Sequence, residues 1–458
     1  MYLKVPIVLL ALIEGSMLVF AVYLAAAIRF NGTEMRAVTP NGDLLPAALL
    51  FAAFSLVSLF AFGLYSVRQR ANRAGVLIRI AAAVANAVAW SAIVYYFAPP
   101  IAMDHHVVLY TAAIAIVFSF VTRLLFERII DENLFKQRVL VFGAGLRAQS
   151  LLQLRRRTDT RGFRLLGFMT SESDTVVAPI DRLIARPPSL YRWAIDNDVD
   201  AIVIAMEDRR RGFPMHELLE CRLAGIEILD LPTFLERETG KVRLDVLNPS
   251  WIIFGEGFRV SLMQHLLERA FDIVASLGLL AVALPVMVLT TIAIKLEDGP
   301  RAPVLYRQRR VGQNGKVFEV LKFRSMVLDA ETNGAQYAQA RDPRVTRVGA
   351  FMRKTRIDEL PQLLNVLRGD MSFVGPRPER PEFVSQLEQR IPYYRERHTV
   401  KPGITGWAQL CYPYGASEKD TIEKLQYDLY YVKNRSLIFD LAILMQTVEV
   451  VLWGKGAR

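Results

Sequence analysis

AFDIVASLGLLAVALPVMVLTTIAI, residues 270–294, is apolar over a length sufficient to cross a bilayer as a helix; about 20 apolar residues span the ~30 Å of hydrocarbon. Two features set it apart from an ordinary crossing. Pro285 sits well inside it, where proline removes a helix hydrogen bond and kinks the axis. Its flanks are basic on both sides, with Arg259 and Arg269 before it and Arg301, Arg307, Arg309, Arg310 and Lys316 after it. A crossing helix gathers its positive charge on one side. A segment that enters one leaflet, breaks at Pro285 and returns is basic at both ends. The run is therefore expected to be re-entrant, with Ser276, Thr290 and Thr291 available to the carbonyls that a break frees.

Towards the N-terminus, four further apolar runs extend from Val5 to Ile28, Leu45 to Tyr65, Leu77 to Phe97 and Val107 to Phe126. Each has the length of a spanning helix. The first is too long for a cleaved signal peptide and lacks a small-residue cleavage site. Arg68, Arg70 and Arg73 lie between the second and third runs with Arg79 at the start of the third, and Arg123, Arg128, Lys136 and Arg138 mark the exit of the fourth. The opposite loops, Asn31 to Asp43 and Pro99 to His106, hold almost no base, so both ends of the bundle are expected on the cytoplasmic side. Composition agrees with such a partition. Of 458 residues 52% are hydrophobic, too many for an ordinary soluble enzyme, while 22% are charged, too many for a bare membrane bundle. The absence of low-complexity tracts, a glycine period and long heptads excludes disorder, collagen and coiled coil. A net charge of +11 favours anionic partners. Cys221 and Cys411 stand far apart, so neither a disulfide framework nor a thiolate zinc site is coded. The histidines (105, 106, 216, 265 and 398) show no metal-ligand spacing.

Between the apolar block and residue 270, KQRVLVFGAGLRA (Lys136–Ala148) reads as strand, tight turn and helix, with Gly143 and Gly145 at the turn. Further β-type runs at Leu165–Met169, Ala201–Ala205 and Ile226–Leu229 alternate with helical stretches, which predicts a parallel, Rossmann-like sheet. Ala148 replaces the third motif glycine, and the nearest candidate ribose acid, Glu172, lies later than the usual spacing. A sheet without a catalytic cofactor is expected.

The chemistry is concentrated after Val304. In VLYRQRRVGQNGKVFEVLKFRSM, Asn314-Gly315 is a hairpin turn signal between two β-patterned stretches. Lys322 and Arg324 on this basic hairpin can bind anionic headgroups or pair with a substrate's phosphates. In RKTRIDELPQLLNVLRGD (Arg353–Asp370), Pro361 marks a helix start and Gly369 its end. Asp358 and Glu359 therefore sit beside that start, close in sequence to Arg353 and Arg356, where an aspartate is expected to stay ionised. Such a pair is either a routine cap or a site that attacks phosphorus and holds Mg²⁺. MSFVGPRP (Met371–Pro378), which presents Arg377 on a rigid loop, favours the site, as do KPGITGW (Lys401–Trp407) and the aromatic YDLYYVKN (Tyr427–Asn434).

KFRSM, RIDELPQLLNVLRGDMSFVGPRP, KPGITGWAQL and YDLYYVKNRSLIFDLAIL together resemble the bacterial sugar transferases. These are the polyprenol-phosphate hexose-1-phosphate transferases, or monotopic phosphoglycosyl transferases. The resemblance covers roughly Arg269 to Trp453, and the N-terminal spans add a likeness to the large members that start exopolysaccharide or O-antigen assembly. It implies a fold of membrane α plus α/β class: four transmembrane helices (1–130), a Rossmann-like domain (131–258) and an α+β catalytic domain (259–458) with a re-entrant helix (270–294). It implies Asp358 as nucleophile, Glu359 in catalysis, both in Mg²⁺ handling, and Pro285 as the helix break. Family members often have Ser before that proline, where this chain has Leu284. The implied partners are a UDP-sugar, undecaprenyl phosphate and membrane lipids, with no nucleic acid and with a homodimer expected. Lys322, Arg324, Arg353 and Arg377 are the candidate phosphate-binding residues. The implied place is the bacterial inner membrane, with the catalytic domain facing the cytosol. A rival reading is a membrane-anchored, NAD-dependent nucleotide-sugar dehydratase or epimerase. Those enzymes need Tyr-x-x-x-Lys, and no tyrosine here has lysine four residues later. A non-catalytic scaffold or chain-length regulator is a third.

Overall fold

The computed structural model describes residues 5–30, 39, 43–65, 73–129, 136–154, 159–160, 162–170, 175–208, 212–247, 261–327, 342–412, 415 and 417–453. The chain forms two compact units, Met1–Thr239 and Gly240–Arg458.

In the first unit the apolar runs become four helices, α1 (Val5–Phe30), α2 (Leu45–Ala61), α3 (Arg73–Phe97) and α4 (His105–Ile129). Fully buried Ala25, Ala47, Ala48, Ala83 and Ala87 pack together, while Leu12, Phe20, Val57 and Phe97 point outward. Small residues inside and large apolar ones outside is the pattern of helices that pack through close backbone approach and present their bulk to lipid. Inside the bundle, Glu14 accepts hydrogen bonds from the Tyr65 hydroxyl and from Arg123 Nη2, the latter at 2.8 Å. An ion pair in such a place holds α1, α4 and the end of α2 together, because neither charge can be left alone in a bundle core.

The same unit contains β1 (Gln137–Phe142), α5 (Leu146–Leu152), β2 (Phe163–Met169), β3 (Leu183–Ile184), α6 (Leu190–Asp196), β4 (Ala201–Ile204), α7 (Met215–Leu223), β5 (Glu227–Asp230) and α8 (Leu231–Thr239). The strands form one parallel sheet in the order β3-β2-β1-β4-β5. Val139–Phe142 and Ala201–Ile204 are buried along their whole length, as strands covered on both faces must be. The expected strands at Leu165–Met169, Ala201–Ala205 and Ile226–Leu229 correspond to β2, β4 and β5. Glu172 lies outside the described residues, as do Arg259, Arg68 and Arg70.

The second unit is built on α9 (Leu262–Asp298), a helix of 37 residues with Pro285 inside it. At 1.5 Å per residue its contour is about 55 Å, nearly twice the hydrocarbon thickness. Pro285 lies within one continuous helix, so the expected break is not a gap between two helices. Thr290 and Thr291 hydroxyls donate to the carbonyls of Val286 and Met287 at 2.7 and 2.8 Å, a local back-bonding that bends helices. Ser276 Oγ has no hydrogen-bond partner among the described residues. Asp272, Ser276, Ala283, Thr290 and Ile294 are buried, and their spacing of four or seven puts them on one stripe. Val274, Val282, Leu289 and Leu296 are exposed on other faces.

Both ends of that stripe hold the same unit. Near the start, Arg269 donates to the carbonyls of Val366 and Leu367, each at 2.6 Å. Asp272 accepts from Ser372 Oγ at 3.0 Å and Phe373 N at 3.1 Å. Near the finish, Glu297 accepts the amides of Arg347 and Val348 at 2.8 and 3.0 Å, and Asp298 accepts from Arg324 at 2.5 Å.

After α9 come the antiparallel pair β6 (Leu305–Val311) and β7 (Val317–Phe323). Asn314 and Gly315 turn at φ 55° and 76°, the positive angles that an Asn-Gly hairpin supplies. Then follow α10 (Arg347–Thr355), α11 (Gln362–Arg368), β8 (Ser372–Val374), α12 (Pro381–Arg390), β9 (Gly403–Thr405), α13 (Trp407–Cys411), α14 (Glu418–Asn434) and α15 (Leu437–Trp453). Strands β8 and β9 are parallel. Their core is Val320, Leu363, Val366, Phe373, Trp407, Tyr427 and Tyr431.

His398 is buried against this unit, and its side chain lies 3.7 Å from Glu388. Burial, with Arg397 and Arg395 nearby, holds its imidazole down to about 4. Unfolded, the ring takes a proton near 6.5; folded, it refuses one until about pH 4. Stability is therefore lost as pH falls between those values, by up to about 3 kcal/mol at ~1.4 kcal/mol per unit. Thermal unfolding at pH 7.5 and 5 should show this loss, and His398→Gln should reduce it.

Candidate functional site

The two carboxylates enter through a turn. Helix α10 ends at Thr355, and Arg356 stops it in the left-handed region at φ 61°. The chain then makes a 3-10 turn, Ile357–Glu359, before Pro361 leads into α11. The proline signal thus put Asp358 and Glu359 within one turn of their actual place ahead of the helix.

Their environments are opposite. Glu359 Oε1 accepts Lys322 Nζ at 3.0 Å and Arg377 Nη2 at 3.4 Å, with Arg356 Nη1 at 4.0 Å. Burial alone would raise the Glu359 carboxyl, but Lys322, Arg377 and Arg356 together hold it down to about 2. Asp358 is buried, and its Oδ1 has no hydrogen-bond partner among the described residues. Burial, reinforced by the Glu359 charge, pushes its carboxyl above the ordinary aspartate value; Lys322, Arg356 and Arg353 pull part of the way back. The cations expected to keep the aspartate ionised therefore act most strongly on its neighbour, while burial sets the direction of the Asp358 shift. Burial also lowers Lys322, against the pull of Glu359. A pair tuned apart in this way has one member fixed as an anion and one open to an electrophile or a cation.

Lys322 and Arg377 bond directly to Glu359, and Arg353 acts on Asp358 through its field. Arg324 goes elsewhere: its buried guanidinium pairs with Asp298 at the end of α9. Arg356, which the sequence showed only as a neighbour, joins the cluster because its left-handed backbone turns it back towards Glu359.

A second layer holds Arg377. Its Nη1 donates to Gln409 Oε1 at 3.2 Å, and its carbonyl accepts Arg397 Nη2 at 3.0 Å. Arg397 also donates from Nε to Asp428 Oδ2 at 2.9 Å and from Nη1 to the Tyr394 hydroxyl at 3.0 Å. The VGPRP and KPGITG loops meet backbone to backbone. A Cβ on Gly375 would lie 2.3 Å from Lys401 O, and one on Gly406 2.1 Å from Gly375 O, so glycine is required at both positions. Nothing in the local pattern around Arg397 or Asp428 marks them as partners; they are thirty-one residues apart.

In the parallel sheet, the crevice that serves phosphates in dinucleotide-binding folds is filled by the chain itself. Such folds seat a pyrophosphate on the amides that open the first helix. Here Glu207 Oε1 accepts the Leu146 amide at 2.7 Å, and the Ala144 carbonyl accepts Val177 and Ala178 amides at 2.8 and 3.1 Å. Gly143, at φ 118°, lies against the Ala205–Met206 backbone. A dinucleotide would have to displace the Glu207 carboxylate, which weighs against the NAD-dependent reading.

Residues 263–454 match the family described as bacterial sugar transferase. A UDP-N-acetylgalactosamine-undecaprenyl-phosphate N-acetylgalactosaminephosphotransferase from Aeromonas hydrophila is 42% identical over 260 residues, 57% of this chain and 60% of that protein. A UDP-glucose:undecaprenyl-phosphate glucose-1-phosphate transferase of Escherichia coli (strain K12) is 40% identical over 238 residues, 51% of this chain and 50% of that protein. An exopolysaccharide production protein, PSS, from Rhizobium leguminosarum bv. phaseoli is 43% identical over 201 residues, 42% of this chain and the whole of that protein. The chain thus spans half to three fifths of the Aeromonas and Escherichia relatives and all of the Rhizobium one.

The matched stretch includes the Arg397–Asp428 pair. Arg397→Met leaves the Asp428 carboxylate buried without its partner, which costs about 3–5 kcal/mol. Arg390→Met, at the exposed Arg390–Glu418 pair, should cost under about 1 kcal/mol. Thermal unfolding of the two variants checks the contrast.

Proposed function

This chain belongs to the bacterial sugar transferase family, and on that premise we propose that it transfers a hexose-1-phosphate from a UDP-sugar to undecaprenyl phosphate. The products are UMP and undecaprenyl-diphosphate-sugar, and the reaction is the first membrane step of exopolysaccharide or O-antigen synthesis. The names of the Aeromonas and Escherichia relatives supply the donor and acceptor classes. The observation that carries the reading is the buried Asp358 Oδ1, without a hydrogen-bond partner among the described residues, beside a glutamate held anionic by three cations.

In the first half-reaction an Asp358 carboxylate oxygen attacks the sugar-bearing phosphorus. The bond from that phosphorus to the bridging oxygen breaks, and UMP leaves with the electron pair. The phosphosugar remains joined to Asp358 through an acyl-phosphate linkage. In the second, an oxygen of undecaprenyl phosphate attacks the same phosphorus and the Asp358 carboxylate departs. Attack at phosphorus gathers charge on the equatorial oxygens, so the protein's task is positioning and electrostatic stabilisation. Lys322, Arg377 and Arg353 are the cations suited to it, and Gln409 and Arg397 keep Arg377 aimed. Asp358 and Glu359 are the carboxylates that would hold Mg²⁺; magnesium sites commonly combine one or two carboxylates with substrate phosphates, and the open Asp358 oxygen fits such a donor set. When bound, the ion neutralises charge on the donor's diphosphate.

We read α9 as re-entrant and the catalytic unit as cytosolic, at the inner membrane. A straight crossing would set Arg269 and Asp298 on opposite sides of the hydrocarbon, yet both ends of the helix bond to one charged unit. The buried stripe follows that unit while the other faces are apolar. UDP-sugars are supplied on the cytosolic side, which suits the basic loops of the bundle. The parallel sheet, with the strand order of doubly wound folds, we read as Rossmann-like and structural.

Asp358→Asn should abolish transfer and the trapping of a radiolabelled phosphosugar adduct; substantial UMP release by the variant would overturn the covalent scheme. The attacking carboxyl must be ionised and sits above the ordinary aspartate range, so the rate should fall as pH drops through that raised value. Lys322 lowers Asp358, so Lys322→Met should move the acid limb of kcat/KM upward. Asn314→Cys in intact cells should label from the cytosolic side; labelling from outside would sink the re-entrant reading.

A further inference from the structure

Among the described residues, strand β7 pairs with β6 along one edge. On its other edge the Glu319 carbonyl and the Leu321 amide face α11, and one side chain takes both. Asn365, fully buried, donates from Nδ2 to Glu319 O at 2.7 Å and accepts the Leu321 N–H on Oδ1 at 3.0 Å. A carboxamide carries the donor and acceptor of a peptide group, so it stands where the backbone of a third strand would stand. Its own main-chain carbonyl accepts the amides of Gly369 and Asp370, each at 3.1 Å, which closes the end of α11. The residue is thus fastened through both its main chain and its side chain.

Two neighbours give this contact its reach. Lys322 follows Leu321 directly in β7. Glu359 stands in the turn just before α11. Their 3.0 Å ion pair closes a ring that runs from β7 through Asn365 to α11 and back through the turn. We propose that Asn365 is a positioning residue that sets the strand carrying Lys322 against the helix behind the carboxylate pair. It works through Lys322 and touches no substrate. Aspartate lacks the donor for the Glu319 carbonyl, leucine lacks both groups, and glutamine is longer by a methylene. None reproduces the contact.

The kinetic half of the test rests on the phosphosugar-transfer reading; the other half does not. The full chain in lipid nanodiscs is treated with an amine-selective acylating reagent, and modification of Lys322 is followed by mass spectrometry. Lys322 should be protected in the unmutated protein and modified at least about fivefold faster in Asn365→Leu, since its strand is no longer pinned. In transfer assays with UDP-sugars and undecaprenyl phosphate, Asn365→Leu should lose about tenfold or more and divide the loss between kcat and KM as Lys322→Met does. The double variant should be no more than about twofold worse than Lys322→Met alone, because both changes remove one coupled interaction. Unchanged Lys322 modification, or losses that multiply, would overturn the proposal. If modification responds while the unmutated chain transfers no sugar phosphate, the positioning stands and the reaction falls. Should Asn365→Leu fail to fold, Asn365→Ser, which is polar but too short to bridge both groups, is held to the same outcomes.

Discussion

Two carboxylates placed side by side away from water repel each other and each lose hydration, so both drift towards neutrality. The second unit is organised around resisting that drift at one of them. Lys322 arrives on a hairpin, Arg377 on a proline-bounded loop and Arg356 on a left-handed helix end, and all three converge on Glu359. Each comes from a different element, so the hairpin, the loop and the helix end must all be held in place. The Asn365 carboxamide holds the first, Arg397 and the glycine contacts hold the second, and the turn before Pro361 holds the third. What remains is an asymmetry: three cations gather on one Glu359 oxygen, while Asp358 Oδ1 has no hydrogen-bond partner among the described residues.

Local signals were legible and remote ones were not. The Asn314-Gly315 turn, the apolar runs that became α1 to α4, the strands of the parallel sheet and the place of Asp358 ahead of α11 depend on residues near one another in sequence, and periodicity or turn chemistry discloses them. Arg324 illustrates the limit. Its spacing from Lys322 puts the two side chains on one side of a strand, yet Asp298 captures it, a partner that lies across the end of α9. Arg397 and Asp428, or Asn365 and the edge of β7, find each other only through tertiary packing, and no run of residues announces them. The division of labour within the carboxylate pair was likewise hidden, because burial decides it more than sequence proximity does.

The parallel sheet shows the converse. Gly143-Ala144-Gly145 is a local signal for a phosphate turn, and the turn is present. The chain then uses it for itself, with Glu207 on the amide and neighbouring backbone against the glycine. A motif fixes backbone shape, while what occupies the shape depends on residues sixty positions away.

Helix α9 ties handling to architecture. Its exposed valines and leucines belong to the same unit as the carboxylates and are fastened to it at both ends. Truncation before Gly240 would remove the whole N-terminal bundle and still leave a wide apolar flank on the remaining body. Exposed apolar surface on that scale needs a cover. The shortened protein would be a detergent-requiring particle, and amphiphile choice, more than buffer or salt, would govern whether it stays monodisperse.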